Sequence, residues 1–480
     1  MNYKLIFSTV LKVIKIEAIL MLLPLLTALI YKEDCFYSFL ITIVVAFTVS
    51  HVIQKFIKDD DKYFYSKDGF ITVALTWIAV SLVGAVPFVL SGEIPSFIDA
   101  FFEMVSGFTT TGASILTDVE ALSKGLLMWR SFSHFIGGMG VLVFIMAITS
   151  KTTDRPIHIL RAEMPGPIVS KLVPRAKDTA KILYLIYIVL TALLTILLLL
   201  GGMNLFESLT HAFGAAGTGG FGIKNDSIGS YSPYIQWVLA LGMLLFGLNF
   251  NLFYLLLLRK VGVVLKSTEL KTYAIIVVSA IAIITFNVYP LFSGFADAVR
   301  AATFQTASIM TTTGYSTVDF NSWPSLSKIL LFTLMFIGGC AGSTAGGLKV
   351  SRVVIAFKKI KAELNKLLHP NTVSVIKLDG EKVDENVSNG VSAYLALYFI
   401  CFAILTLLVS FNGLSFETTL SSVSACFNNI GPGFDLVGPA SNYSVFNGFS
   451  KIVLSIAMLL GRLEIYPLLL ILIPTTWKKR

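Results

Sequence analysis

A chain of 480 residues with 55% hydrophobic content and a mean hydropathy of +0.80 is well above the roughly 45–50% apolar content of a soluble domain, which excludes the soluble classes and indicates a polytopic membrane protein. The net charge of +9 in so apolar a chain reads as basic loops on one side of a membrane, not as a nucleic-acid surface. Cys35, Cys340, Cys401 and Cys426 lie in or near apolar segments without CxxC spacing, which argues against a disulfide framework or a cysteine metal site.

In chain order, the N-terminus places lysines before an apolar run with no small-residue cleavage site, the pattern of an uncleaved anchor. Spans are predicted at about residues 14–30 and 36–57, forming a hairpin that the charged stretch 58–68 ends. From Gly69 the chain repeats one plan four times: a long apolar helix, a shorter amphipathic helix, a glycine strip and a second long helix. The long helices are predicted at 69–90 and 125–149, 180–201 and 233–258, 271–292 and 327–357, and 390–411 and 446–475, giving ten spans with the hairpin. The short segments, 97–108, 204–217, 295–310 and 414–427, are too brief and too polar to cross a bilayer alone. They are predicted to enter and turn back, which is permitted only where protein or water surrounds the non-helical end. Asp99, Glu207, Asp297 and Glu417 fall near their starts, where a carboxylate meets the positive end of the helix dipole.

Each short helix leads into a strip: TTTGA from Thr109, GTGGF from Gly217, TTTGY from Thr311 and NNIGP from Asn428. The glycines Gly112, Gly220, Gly314 and Gly431 recur roughly a hundred residues apart, too far for a solenoid repeat, so each unit is a small domain. Small and polar residues meeting a glycine suit backbone that lines a narrow polar passage. A selectivity filter replaces a cation's water shell with carbonyls on extended backbone, with glycine where a side chain is excluded. The predicted units are 1–68 (hairpin), 69–178, 179–268, 269–388 and 389–480.

Most of the 37 Lys and Arg residues fall in 1–15, 55–67, 151–181, 259–271, 349–382 and 478–480, alternating with segments nearly free of them. The basic loops and both termini are therefore predicted to be cytoplasmic, with the strips entering from outside. Within the second helix of the third unit, GGCAGSTAGG (338–347) cannot be a stable helix, since each glycine costs about 1 kcal/mol. Such a break lines a cavity or packs on protein through small residues. Arg462 is read as the sole basic residue of the last apolar helix, and a buried charge there needs a partner or water. Glu464, two residues away, lies on a different helix face. His134 and His211, near the strips, read as packing residues before proton relays.

SGFTTTGAS, GTGGFG, MTTTGYST and NNIGPGF, together with GGCAGSTAGGLK, GRLE, RAEMPGP (161–167) and HPN (369–371), resemble the TrkH branch of the TrkH/KtrB/HKT superfamily of potassium uptake proteins over essentially the whole chain. The N-terminal hairpin resembles that branch too. The resemblance implies an all-α polytopic membrane protein in which four pseudo-fourfold helix–re-entrant pore loop–helix repeats surround one pore beside an N-terminal two-helix hairpin. It implies potassium-coordinating carbonyls at Thr110 and Thr111, Thr218 and Gly219, Thr312 and Thr313, and Asn429 and Ile430, before Gly112, Gly220, Gly314 and Gly431. It implies a gate formed by Gly338, Gly339, Cys340, Ala341, Gly342, Ser343, Thr344, Ala345, Gly346 and Gly347 with Arg462 beneath the filter. The expected protein is a homodimer in the inner membrane of a prokaryote, on a cytoplasmic TrkA-like ring that binds nucleotides. Potassium is its substrate, lipid surrounds it, and the chain itself carries no nucleotide site. Two rivals differ in what they require. Symport coupled to sodium or protons predicts an intramembrane carboxylate on the pathway, and none is evident in the long helices; a polytopic membrane enzyme predicts a carboxylate or histidine cluster at one face.

Overall fold

A computed structural model of the chain describes residues 3–57, 66–140, 176–371 and 375–477. The N-terminal hairpin is α1 (Tyr3–Leu20) and α2 (Leu22–Tyr31), which together make one apolar run, followed by α3 (Cys35–Phe56). Lys32 in the left-handed region (φ 58°) closes α2. Just after it, the Glu33 carboxylate accepts from the amides of Lys124 (2.8 Å) and Gly125 (2.9 Å), so the hairpin supplies the cap for the first turn of a later helix.

Four times thereafter a long helix, a short helix and a second helix follow one another, and in the second, third and fourth units the second helix is broken. The long helices are α4 (Ser66–Ser91), α7 (Ala176–Leu200), α12 (Thr268–Val288) and α16 (Glu385–Ser410), within one to five residues of the predicted bounds. The short ones are α5 (Phe97–Phe108), α8 (Leu205–Gly217), α13 (Phe295–Met310) and α17 (Phe416–Phe427). Their starts follow from capping: Ser96 accepts from the Asp99 amide, Asn204 and Glu207 form a reciprocal capping box, and Ser415 accepts from the Thr418 amide. At α13 the cap position is Gly294 without a side-chain bond, and Asp297 is held by Ser293 Oγ (3.0 Å) and by Arg300 (2.8 Å).

Of the ten predicted spans, the second helices depart from continuous helix not in the third unit alone: among the described residues six helices are long and apolar enough to cross a membrane, and the second helices of the second, third and fourth units are interrupted. In the first unit α6 (Lys124–Gly138) ends at Met139, and the prediction for 141–149 lies outside the described residues. In the second, α9 (Pro233–Phe246) and α10 (Phe250–Leu257) meet at 91° across Gly247–Asn249; the short helix α11 (Val261–Lys266) follows. In the third, α14 (Ser325–Ile337) and α15 (Val350–Leu368) flank the glycine loop, as the composition of that stretch predicted. In the fourth, α18 (Gly448–Arg462) and α19 (Tyr466–Leu472) are separated by Glu464 and Ile465, both left-handed (φ 56° and 66°). The only strands among the described residues are the two-residue pair β1 (Lys377–Leu378) and β2 (Glu381–Lys382).

The cores interlock successive units. Phe304, Ala307 and Tyr315 of the third unit pack into the core of the second, and Ile430 and Phe434 of the fourth pack into that of the third. The hairpin and the first and fourth units share the remaining core, around Trp77, Phe102, Trp129, Tyr398 and Leu454. Lipid tails are as apolar as these side chains, so close packing rather than water exclusion holds such helices together. Gly137 and Gly461 show how: each presses against the last helical carbonyl of a short helix, that of Phe108 or Phe427, leaving no space for a Cβ.

Candidate functional site

The four short helices end alike. The amide two residues beyond the last helical turn bonds five residues back: Thr111 to Ser106, Gly219 to Gly214, Thr313 to Ser308 and Ile430 to Ala425, all at 2.8–2.9 Å. The amide before it bonds three residues back: Thr110 to Gly107, Thr218 to Ala215, Thr312 to Ile309 and Asn429 to Cys426, at 3.1–3.2 Å. This pair of bonds is the Schellman closure, which requires a left-handed residue at its turn. Glycine usually occupies that place. Here it is Thr110, Thr218, Thr312 (each φ 55°) and Asn429 (φ 56°). Two residues on, Gly112, Gly220, Gly314 and Gly431 are again left-handed, at φ 79°, 71°, 89° and 95°.

The strips close a ring. A Cβ on Gly112 would strike the carbonyl oxygen of Gly219, one on Gly220 that of Thr313, one on Gly314 that of Ile430, and one on Gly431 that of Thr111. Each glycine thus abuts the carbonyl preceding the next glycine, in chain order, and the fourth returns to the first. Asn429 adds a bond across the last seam, donating from Nδ2 to Thr111 Oγ1 at 3.0 Å. On one side of the ring lies a cavity of about 150 Å³ lined by the four glycines and by Ala113, Phe221 and Pro432.

Several side chains that sequence reasoning missed hold this ring. Glu103 of α5 and Arg130 of α6 form a buried ion pair at 2.8 Å. Glu103 also accepts from Ser114 Oγ (2.9 Å) and the Ile115 amide (3.0 Å), while Arg130 donates to Gly222 O (3.3 Å) and lies 4.0 Å over the Phe221 ring. The pair therefore fixes the chain just beyond two of the strips. His134 flanks Phe221 with ring centroids 4.3 Å apart; its Nε2 accepts from the Phe221 amide (3.3 Å), which leaves Nδ1 to donate to Gly107 O (2.8 Å). A Cβ on Gly219 would strike this imidazole. His211 bonds the Glu207 carbonyl at 2.7 Å and packs on Tyr231 and Tyr315. Both histidines pack, as expected.

On the other side of the ring the helix breaks converge. The glycine loop docks on the break of the second unit: Cys340 N donates to Gly247 O (2.9 Å), Phe250 N to Gly342 O (3.0 Å) and Thr344 Oγ1 to Phe246 O (3.3 Å). Glu269 of α12 pins it from outside, accepting from the amides of Ala341 (2.7 Å) and Ser351 (3.1 Å). Arg462, at the break of the fourth unit, donates to Thr344 O at 2.8 Å and to the carbonyls of Gly137 and Gly138 at the end of α6. Lys349 Nζ turns back onto Ala345 O. Glu464 pairs with Arg352 rather than with Arg462.

One sequence reading is corrected: Arg462 is not the sole basic residue of its helix, since Lys451 shares α18 and bonds Asp99 at 2.6 Å. The long helices hold buried carboxylates at Glu17, Asp68 and Glu269. Glu17 lies beside Gly84, Met104 and Phe108, behind α5 rather than at the ring, with neither oxygen hydrogen-bonded.

The TrkH cation transport family model matches residues 37–479. The chain belongs to that family. TrkH, the Trk system potassium uptake protein of Escherichia coli K12, is 36% identical over 469 residues, covering 96% of each chain. The homologue of the same name from Vibrio parahaemolyticus is 33% identical over the whole of both chains. The crystal structure of the potassium transporter TrkH from Vibrio parahaemolyticus superposes with a TM-score of 0.90 at 32% identity, covering 100% of each chain. For this TrkH-family chain, all twelve strip residues named from sequence lie in one ring, and the loop 338–347 and Arg462 meet beside it. The RAEMPGP segment (161–167) lies outside the described residues.

Proposed function

We propose that this chain mediates potassium-selective uptake across a membrane, through a channel-like pore whose filter is the ring of four strips. The observation that carries the reading is the closed cycle of glycine–carbonyl contacts, with left-handed residues at both places in every strip. Alternating left-handed residues turn successive carbonyls toward the same side, and that is the geometry with which backbone replaces a cation's water shell. Thr110, Thr111, Thr218, Gly219, Thr312, Thr313, Asn429 and Ile430 present the carbonyls. Gly112, Gly220, Gly314 and Gly431 permit the strips to touch. The loop 338–347 closes the path beside the filter, and Arg462 opposes cations by charge. The family is one of transporters, and the chain is not an enzyme.

The protein resides in a bacterial inner membrane with both termini cytoplasmic. It acts as a homodimer under a nucleotide-binding, TrkA-like ring docked at the basic loops, and the hairpin and four units of the sequence reading are its building blocks. Purified protein in liposomes carrying a potassium gradient should pass potassium and discriminate against sodium. Equal flux of the two ions would count against the filter. Symport, the second reading, needs an intramembrane carboxylate on the pathway, and Glu17 in α1 lies behind α5 instead. That reading requires flux to depend on pH or sodium.

A further inference from the structure

The side chains at the left-handed place of the four strips are spent differently. Thr110 Oγ1 has no hydrogen bond. Thr218 Oγ1 donates to the carbonyl of its own neighbour, Gly217, at 2.6 Å. Asn429 Nδ2 bonds Thr111 Oγ1 and Met458 O. Thr312 Oγ1 accepts from the amide of Gly346, at 2.6 Å, with both residues buried. Among the described residues this is the one side chain at that place that hydrogen-bonds the glycine loop. Two residues away, Thr344 O receives Arg462. A continuous path therefore runs from Arg462 through Thr344 and Gly346 to the turn of the third strip.

Thr312 is β-branched and left-handed (φ 55°), a conformation that such a residue holds only when its surroundings impose it. Its own turn supplies two backbone bonds, and the Gly346 amide supplies the third. Withdrawing the loop from the axis must break that third bond and leave the buried hydroxyl without its donor. The carbonyls of Thr312 and Thr313 lie at this turn, and Thr313 O is the one that Gly220 packs against. Relaxation here would pass to the neighbouring strip.

Resting on the filter-and-gate reading, we propose that the Thr312 hydroxyl is a positioning residue that couples the loop to the filter. With the loop seated, the third strip is held in its potassium-binding shape, and the same bond holds the loop shut. Ion preference and gate state then change together.

The test is the nearly isosteric Thr312→Val, reconstituted in liposomes without the regulator, with Thr312→Ser as the conservative variant. One lost hydrogen bond of ordinary strength should raise resting potassium flux and lower the potassium-to-sodium preference by about two- to tenfold each. Thr312→Ser should restore both. Thr312→Ala, read in the same way, serves if the valine variant does not fold. Changed preference with unchanged resting flux, neither change, or a serine variant that behaves like valine would overturn the coupling. Gly112→Ser measured beside them separates the two claims. A shift in preference there with none in Thr312→Val removes only the coupling, whereas no shift in either removes the filter reading as well.

Discussion

Thr110, Thr218, Thr312 and Asn429 adopt a backbone region that costs an ordinary residue roughly 1–2 kcal/mol, and all four do so at the same place in the strip. The aligned glycines were legible because glycine is what a sequence offers for positive φ and close approach. The threonines were not, because nothing in a threonine announces a left-handed turn; Asn429 alone carried a hint. Glu103 and Arg130 were illegible for another reason: 27 residues separate them, so no periodicity pairs them. Arg130→Met leaves a buried carboxylate unmatched, and the loss should be about 3–5 kcal/mol, visible as a lowered unfolding midpoint in detergent. Asp435, in the loop after the fourth strip, accepts from Ser415 Oγ and from Thr418 Oγ1 (2.6 Å). Those bonds, Ser415's first, hold its pKa below the ordinary carboxylate value. A depressed folded-state value stabilises at pH above the unfolded value and is lost as pH falls through the folded one. Wild-type protein should therefore lose stability below about pH 4, and Asp435→Asn should show a smaller decline over that window in thermal scans. Equal slopes would assign Asp435 no part.

At the scale of elements, the first helices and the short helices were readable from apolar length and from caps, with bounds close to those observed. The second helices were not. Only the third declared its break, through a cluster of glycines, whereas the second breaks at Gly247–Asn249 with one glycine and the fourth at Glu464 and Ile465 with none. Tertiary contacts impose those breaks. The Gly247 carbonyl is spent on the loop, and Glu464 is drawn to Arg352. Because the breaks meet through Arg462, its removal should free the loop from the first and fourth units. Arg462→Ala also removes a positive charge from the cation path, and should raise resting potassium flux by about tenfold or more. Ion preference should stay near that of wild type, since the added flux comes from the lost charge while the loop stays seated on the second unit and on Thr312. Resting flux at the wild-type level in a folded variant would make this arginine structural.

For the whole molecule, composition and the TrkH-like motifs pointed to an all-helical polytopic plan before any contact was known, and the TM-score of 0.90 to a TrkH crystal structure agrees with that helical plan. What the repeat could not convey is how the units interlock. The hairpin is tied on by Glu33 at the start of α6, and Glu33→Ala should cost about 0.5–2 kcal/mol, as loss of a cap does, measured by thermal unfolding. In the basic segment 349–382, Lys358 bonds Lys377 O (2.6 Å) and Lys359 bonds Asn389 (2.9 Å) and Ser392 (3.0 Å). Part of that basic face therefore ties α15 to the rest of the chain. The central claim remains that four dissimilar strips act as one ring with one selectivity. Its most direct test is the potassium-to-sodium flux ratio of Gly112→Ser against wild type in liposomes. Serine at this left-handed position drives a Cβ into the Gly219 carbonyl and displaces the second strip along with the first, so the ratio should fall toward unity in a protein that still folds. A folded Gly112→Ser protein with the wild-type ratio would contradict the ring as the filter.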